Sequence, residues 1–328
     1  MIISRTPFRI SFFGGGTDYP TWARDHGGAV LSTTFDKYCY ISARELPPFF
    51  DHKYRITYSK VEDTQSIEQI QHPAIRAVLN EVGFEAGLEI HCDADLPARS
   101  GLGSSSSFVV GLLHAMAALK GNKPSRPWLA QEAIRIEQEV LSENVGSQDQ
   151  IAAAFGGFNL IEFQPDGGFQ VTPVELPDKR LESLESHLML FFTGFSRIAS
   201  VVAKSIIENL KNKSTQLHRI RAMVDEALEV LRSGADIRVI GEMLHQSWEH
   251  KRSLTDKVST AAIDSIYDRA RQAGAIGGKL LGAGGGGFLL LYVPPSQQQA
   301  VRQALNELVC VPFRFENTGS QIGSYRHG

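Results

Sequence analysis

Apolar and polar residues alternate along the start of the chain in the manner of strands. Residues 3–13, 29–44 and 54–61 carry β-branched and aromatic side chains at a period of two. The period lengthens to a helical one over 73–82, and a further strand, Leu88-Glu89-Ile90-His91-Cys92, follows. Helical spacing then holds over 104–119 and 126–141, where Leu129, Ala133, Ile136 and Val140 mark the apolar face of the second helix. A short helix is predicted over 148–155, with Ser147 as its N-cap and Asp149 in its first turn. Strand-like pieces return at 158–163, 169–176 and 188–193. Four helical segments fill 198–273, with breaks near Lys213, Gly234 and Ser253. The end of the chain reads strand, glycine loop, strand, helix, strand over 275–281, 288–293, 297–308 and 311–316. This order predicts an α+β fold. A change of composition near Pro177-Asp178 suggests two halves, 1–180 and 181–328, and no internal repeat is visible.

Composition narrows the function more than the fold. The 328 residues are 42% hydrophobic and 21% charged, as in soluble globular proteins, and suffice to bury a large core. A formal charge of -3 gives no electrostatic case for nucleic acid, and no basic run suggests a membrane surface. Cys39, Cys92 and Cys310 are scattered without Cys-x-x-Cys spacing, so they read as reduced thiols. The N-terminus alternates polar and apolar residues, unlike a signal peptide, and no run is long enough to span a bilayer. A cytoplasmic protein is expected.

Four segments carry candidate chemistry. In Pro97-Ala98-Arg99-Ser100-Gly101-Leu102-Gly103-Ser104-Ser105-Ser106 a strand leads into a glycine- and serine-rich turn and then a helix. Glycines let backbone N–H groups approach anionic oxygens, and the helix start presents unpaired N–H groups and hydroxyls. The alternative is a connector that merely caps the helix. No Gly-Lys-Ser/Thr follows, so this is not a Walker A loop. Near the N-terminus, Arg9 leads to Gly14-Gly15-Gly16-Thr17-Asp18, where a short carboxylate either accepts hydrogen bonds from vicinal hydroxyls or closes an Asx-type turn. Glu137 and Gly146-Ser147-Gln148-Asp149-Gln150 form the third segment, in which both acids also fit ordinary surface or first-turn positions. Four consecutive glycines, Gly284 to Gly287, between apolar strands permit close backbone approach to a ligand or another loop.

In this order along the whole chain, the four segments resemble the GHMP kinase superfamily. Phe12-Phe13-Gly14-Gly15-Gly16-Thr17-Asp18-Tyr19-Pro20 is similar to the heptose 7-phosphate kinase branch and to related fucokinase domains. Smaller matches to that branch are Tyr58-Ser59 with Glu62, His72-Pro73 with Arg76, and Thr193-Gly194-Phe195-Ser196-Arg197. The resemblance implies an N-terminal α+β domain, a C-terminal ferredoxin-like domain and a nucleotide at their junction. Gly101, Leu102, Gly103, Ser104, Ser105 and Ser106 would wrap the phosphates of ATP, with Gly284 and Gly285 closing over them. Ser105 and Glu137 would hold Mg²⁺. Asp149 matches the aspartate facing the reacting hydroxyl and Arg9 the arginine beside it. Gly15, Gly16, Thr17 and Asp18 would bind the sugar. A substrate phosphate needs a cationic clamp, for which Arg197 is the first candidate and Lys37 the second. The implied reaction is transfer from ATP to O1 of a manno-configured heptose 7-phosphate. Its rivals are kinase action on an unphosphorylated sugar and a catalytically silent sugar sensor.

Overall fold

The computed structural model describes residues 1–328 except 85, 99, 195–198 and 325–328. Strand β1 (Ile2–Phe13), helix α1 (Pro20–His26) and strand β2 (Gly28–Glu45) come first. A hairpin of β3 (Tyr54–Thr57) and β4 (Val61–Thr64), helix α2 (Pro73–Val82) and β5 (Leu88–Ala94) follow. Helices α3 (Ser104–Leu119), α4 (Arg126–Arg135) and α5 (Gln148–Phe155) precede the hairpin β6 (Asn159–Phe163) and β7 (Phe169–Pro173). These strands build one sheet, with the path β1-β2-β5-β3-β4 and with β6 also paired to β2. All pairs are antiparallel except β3–β5. The length of β2 explains this branching, since β5 pairs with its C-terminal half and β6 with its N-terminal half. Helix α3, uniformly apolar rather than one-sided, is buried against β1 and β2.

After α6 (Asp178–Ser186) the chain enters a second sheet through β8 (Leu188–Phe192). Helices α7 (Ala199–Asn209), α8 (Ser214–Arg232), α9 (Arg238–Arg252) and α10 (Ala261–Gln272) lead to β9 (Gly277–Leu280) and β10 (Phe288–Tyr292). Helix α11 (Gln298–Ala304) and β11 (Val309–Val311) complete it. The spatial order β11-β8-β10-β9, antiparallel throughout, is that of a ferredoxin-like βαββαβ unit with several helices in its first crossover. Both the α+β class and the ferredoxin-like second unit therefore match the expectation.

The boundary at 180 is not a clean division. The last strands, β12 (Phe315–Glu316) and β13 (Gln321–Ser324), return to the first sheet, β12 on β2 and β13 on β1. The single strand expected over 311–316 is thereby split between two sheets. Pro312 supplies the reason, because it lacks the N–H that a continuing ladder needs. One apolar core also runs through both parts, joining Phe8, Ile10 and Leu31 to Val224, Leu244 and Leu290. Among the described residues no helix is long and apolar enough to cross a membrane.

Candidate active site

Arg9 organises the site. It lies on β1 opposite Thr34 of β2 and is 4% exposed. Its Nε and one terminal nitrogen donate to the two carboxylate oxygens of Asp149 at 2.7 and 2.9 Å. The other terminal nitrogen donates to the Gly101 carbonyl at 2.7 Å, and the Arg9 N–H donates to the Leu102 carbonyl. A bidentate fork of this kind fixes a carboxylate in both position and plane. The Asp149 side chain keeps 25% of its surface exposed, so it is held firmly yet remains reachable by a ligand.

The serine loop is shaped to leave room for that pair. Gly103 stands at φ +74°, and a Cβ there would lie 3.3 Å from both Arg9 Cγ and Asp149 Cγ. Gly103 also precedes α3, whose start carries no side-chain cap. The first-turn N–H groups of a helix have no acceptor within it, which suits an anion. Leu102 points into the core, whereas Ser105 is exposed.

Glu137 lies beneath this helix start. An uninterrupted helix through 126–141 was expected, but α4 ends at Arg135 and a π-helical turn covers Ile136–Val140. The wider turn swings Glu137 to complete burial and leaves Val140, expected on the apolar face, 41% exposed. Ser105 Oγ and Ser106 Oγ donate to the Glu137 carboxylate at 2.8 and 2.6 Å, and Gln150 Nε2 donates at 2.5 Å. Burial pushes the Glu137 carboxyl up to about 7, against those hydrogen bonds. Gln150 Oε1 is itself buried without a hydrogen-bond partner. A carboxylate, an exposed hydroxyl and an orphaned amide oxygen make a hard-oxygen set that fits a cation shared with a ligand's phosphates. Among the described residues no cluster of three His, Cys, Asp or Glu could cage a metal by itself.

The Gly14–Asp18 turn is put to a different use from the one expected. Thr17 is fully buried, and its hydroxyl donates to the carbonyls of Gly14 and Ala29 at 2.8 and 3.1 Å. It therefore staples the turn to β2 rather than facing a ligand. Asp18 is 2% exposed and accepts from the N–H groups of Gly16, at 2.9 Å, and Gln148, at 3.3 Å. Asp18 thereby caps α5, while the hydroxyl of Ser147, expected as the cap, instead accepts from Gln138. Burial raises the Asp18 carboxyl above its usual range. Gly146 has no room for a side chain, since a Cβ would sit 1.9 Å from Asp18 Oδ2. Gly15, half-buried, is the part of this turn nearest Gln148, where a Cβ would lie 3.5 Å from Gln148 Nε2, whereas Gly16 is buried at φ +107° and faces Leu217.

The C-terminal glycine loop meets the serine loop end to end. A Cβ on Gly101 would lie 2.5 Å from the Leu281 carbonyl oxygen, and one on Gly282 would lie 2.4 Å from Gly101 Cα. Phe288 donates its N–H to Ser100. The middle of the loop turns elsewhere: Gly284 packs on Val258, and the Gly285 N–H donates to the Val258 carbonyl at 3.0 Å. Gly284 and Gly285, expected over the phosphates, are thus anchored before α10. Lys37 occupies a bulge of β2 and binds Asp36 at 3.1 Å; its contacts do not extend to the Arg9–Asp149 pair. Arg197 and Arg99 lie outside the described residues. Tyr58, Glu62 and His72 do assemble, with the Tyr58 hydroxyl and the His72 N–H donating to Glu62 and the His72 ring against Phe108 of α3. Sequence reasoning missed the role of Gln150, for which only its place one residue after Asp149 was a signal.

The fold and sequence have counterparts among known proteins. Residues 68–157 match the GHMP kinases N terminal domain and residues 223–309 the GHMP kinases C terminal domain. A D-glycero-alpha-D-manno-heptose 7-phosphate kinase from Campylobacter jejuni is 30% identical over 86% of each chain. An L-fucokinase/L-fucose-1-P guanylyltransferase from Bacteroides fragilis is 29% identical over 87% of this chain and 34% of that longer protein. The crystal structure of a D-glycero-D-manno-heptose 1-phosphate kinase from Bacteroides thetaiotaomicron is 26% identical and superposes over 100% of both chains with a TM-score of 0.82. The chain belongs to the GHMP kinases and is an ATP-dependent phosphotransferase of that family.

Proposed function

We propose that this sugar kinase transfers the γ-phosphoryl group of ATP to O1 of D-glycero-D-manno-heptose 7-phosphate, giving the 1,7-bisphosphate. The observation that carries the chemistry is the Arg9–Asp149 fork beside the uncapped start of α3. The Campylobacter jejuni relative supports the choice of sugar. The donor's phosphates lie along residues 101–106, against the N–H groups of the helix start. Asp149 accepts a hydrogen bond from the sugar O1–H and takes its proton as the new O–P bond forms and the bond to ADP breaks. Arg9 holds the carboxylate in line and offsets charge on the transferred group. Most of the acceleration comes from alignment and fixed charge, because the transition state is loose. An anomeric hydroxyl is more acidic than an ordinary alcohol, which eases the demand on the base.

Ser105 and Glu137, with Gln150 Oε1 beside them, would hold Mg²⁺. The ion supplies neutralisation of the phosphate oxygens. Gly15 and Gly16 flank the sugar, and Arg197 and Lys37 are the cations assigned to its 7-phosphate. Lys37 must exchange Asp36 for that task. This occupied partner, together with the fucokinase relative, favours a second reading in which the acceptor is an unphosphorylated sugar.

The test is ATP consumption with Mg²⁺ across heptose 7-phosphate, heptose 1-phosphate, fucose, mannose, galactose and mevalonate, with NMR of the product. Selective turnover of heptose 7-phosphate with a new phosphate on C1 is expected. Turnover of a free sugar alone selects the second reading. Binding without turnover on every acceptor leaves a sensor and refutes both.

A further inference from the structure

Two ammonium groups, that of buried Lys279 and that of half-buried Lys251, lie beside the site and take no part in the reaction above. Lys279, on β9, is 5% exposed, and its Nζ donates to the Phe12 carbonyl at 2.8 Å. That contact crosses from the second sheet to the strand that carries Arg9. Lys251, near the end of α9, donates to the carbonyls of Leu280, at 2.8 Å, and Gly282, at the entry to the glycine loop. Each lysine is repelled by Arg9, and Lys251 also by Lys279. Strand β10 offers no charge here, since Leu289, Leu290 and Leu291 are buried beside β9. Among the described residues, Asp149 is the only carboxylate hydrogen-bonded to any of the three cations, and Arg9 already holds it. Three cationic groups therefore share one hydrogen-bonded carboxylate, while Asp18, the acid that interacts with Asp149, is buried and its carboxyl is pushed up. A buried ammonium without a counter-ion tends to lose its proton. Burial, reinforced by Arg9, brings Lys279 down to about 7, and burial with both neighbouring cations holds Lys251 well below its usual range.

From this geometry we propose that Lys279 and Lys251 form, with Arg9, a cation cluster that takes up protons when a polyphosphate binds at the serine loop. An anion beside Arg9 offsets the repulsion that, added to burial, keeps the amines neutral. Each proton passes from solvent to a lysine Nζ lone pair, and no bond to the ligand forms. The recharged ammonium groups add positive potential behind the phosphates. They also grip more strongly the carbonyls of Phe12, Leu280 and Gly282, which shape the two glycine turns. Both are positioning residues, and the inference rests on the assigned nucleotide site but not on the identity of the sugar. Affinity for the polyphosphate should fall as pH rises above 7, by up to about tenfold per pH unit for each proton taken up.

Calorimetry with a non-hydrolysable ATP analogue and Mg²⁺ at pH 8, in two buffers of different ionisation enthalpy, reads the proton count separately from binding itself. Net uptake is expected in the wild type, and inorganic tripolyphosphate should reproduce it. K279R, which stays charged throughout, should still bind the analogue but take up markedly less. Equal uptake in both proteins, or none in the wild type, overturns the proposal even where the nucleotide binds. The wild-type Kd measured from pH 7 to 9 decides independently of any variant: weakening supports the cluster, and a flat profile removes it.

Discussion

Replacing Glu137 by glutamine should stabilise the metal-free protein above neutral pH while weakening its use of a metal. In the native state the carboxyl is fully buried and its proton is held up to about 7, against 4.5 for a free glutamate side chain. Between those values the native state binds more protons than the unfolded chain, so stability falls as pH rises through the window. The displacement corresponds to a loss of about 3 kcal/mol, complete once pH exceeds the native value. Glu137→Gln escapes that loss. Its amide oxygen can accept from Ser106 and Gln150, and its amide nitrogen can donate to Ser105 Oγ, so the three present contacts have replacements. Urea denaturation in EDTA at pH 5, 6, 7 and 8 measures the difference. The variant should gain steadily on the wild type, by up to about 3 kcal/mol across the range. Mg²⁺ with nucleotide should narrow the gap by pairing the ionised carboxylate, and apparent Mg²⁺ affinity in the variant should drop at least about tenfold. A difference that is constant with pH, or a wild type that gains as pH rises, would refute the account of Glu137 as a carboxylate held against its burial.

Asp149→Asn should lower turnover by about 10²–10⁴-fold while ATP-analogue binding persists; unchanged turnover takes Asp149 out of the mechanism. Gly282→Ala forces a side chain onto a φ of +71°, 2.4 Å from Gly101 Cα, so thermal unfolding should show a loss of at least about 1–3 kcal/mol together with a raised KM for ATP. Wild-type values for both would mean that the two loops are not locked. Thr17→Ala should cost about 1–3 kcal/mol through its unsatisfied backbone partners, with kcat little changed. A fall in kcat at full stability would return Thr17 to the sugar.

The parts of the site that follow from local chemistry were readable in the sequence. The start of α3 at Ser104 and the whole of α5 fall where helical spacing and the glycine–serine turn predict them. What was not readable depends on partners remote in the chain. Asp18 caps a helix 130 residues later, so an Asx-type turn and a sugar ligand were both open without it. Glu137 resembled a surface acid because nothing in residues 126–141 announces a π-helical turn. The two residues of β12 are too short to show a period, and only their pairing with Phe35 and Thr34 makes them a strand. Lys279 did leave a trace, as a lone charge among Gly277, Gly278, Leu280 and Leu281, where every neighbour is buried.

The return of the last strands to the first sheet bears on how the chain is made. On a ribosome, β1 and β2 emerge long before β12 and β13, which cannot pair with them until the whole second sheet has been synthesised. Until then the side of β1 that β13 covers stays open, so the first sheet can be assembled early but closed only after the second has been made. The closing segment also gives the backbone a second crossing between the sheets, between β11 and β12, in addition to the one through α6. The two sheets are thus tied together by the chain at two places rather than one.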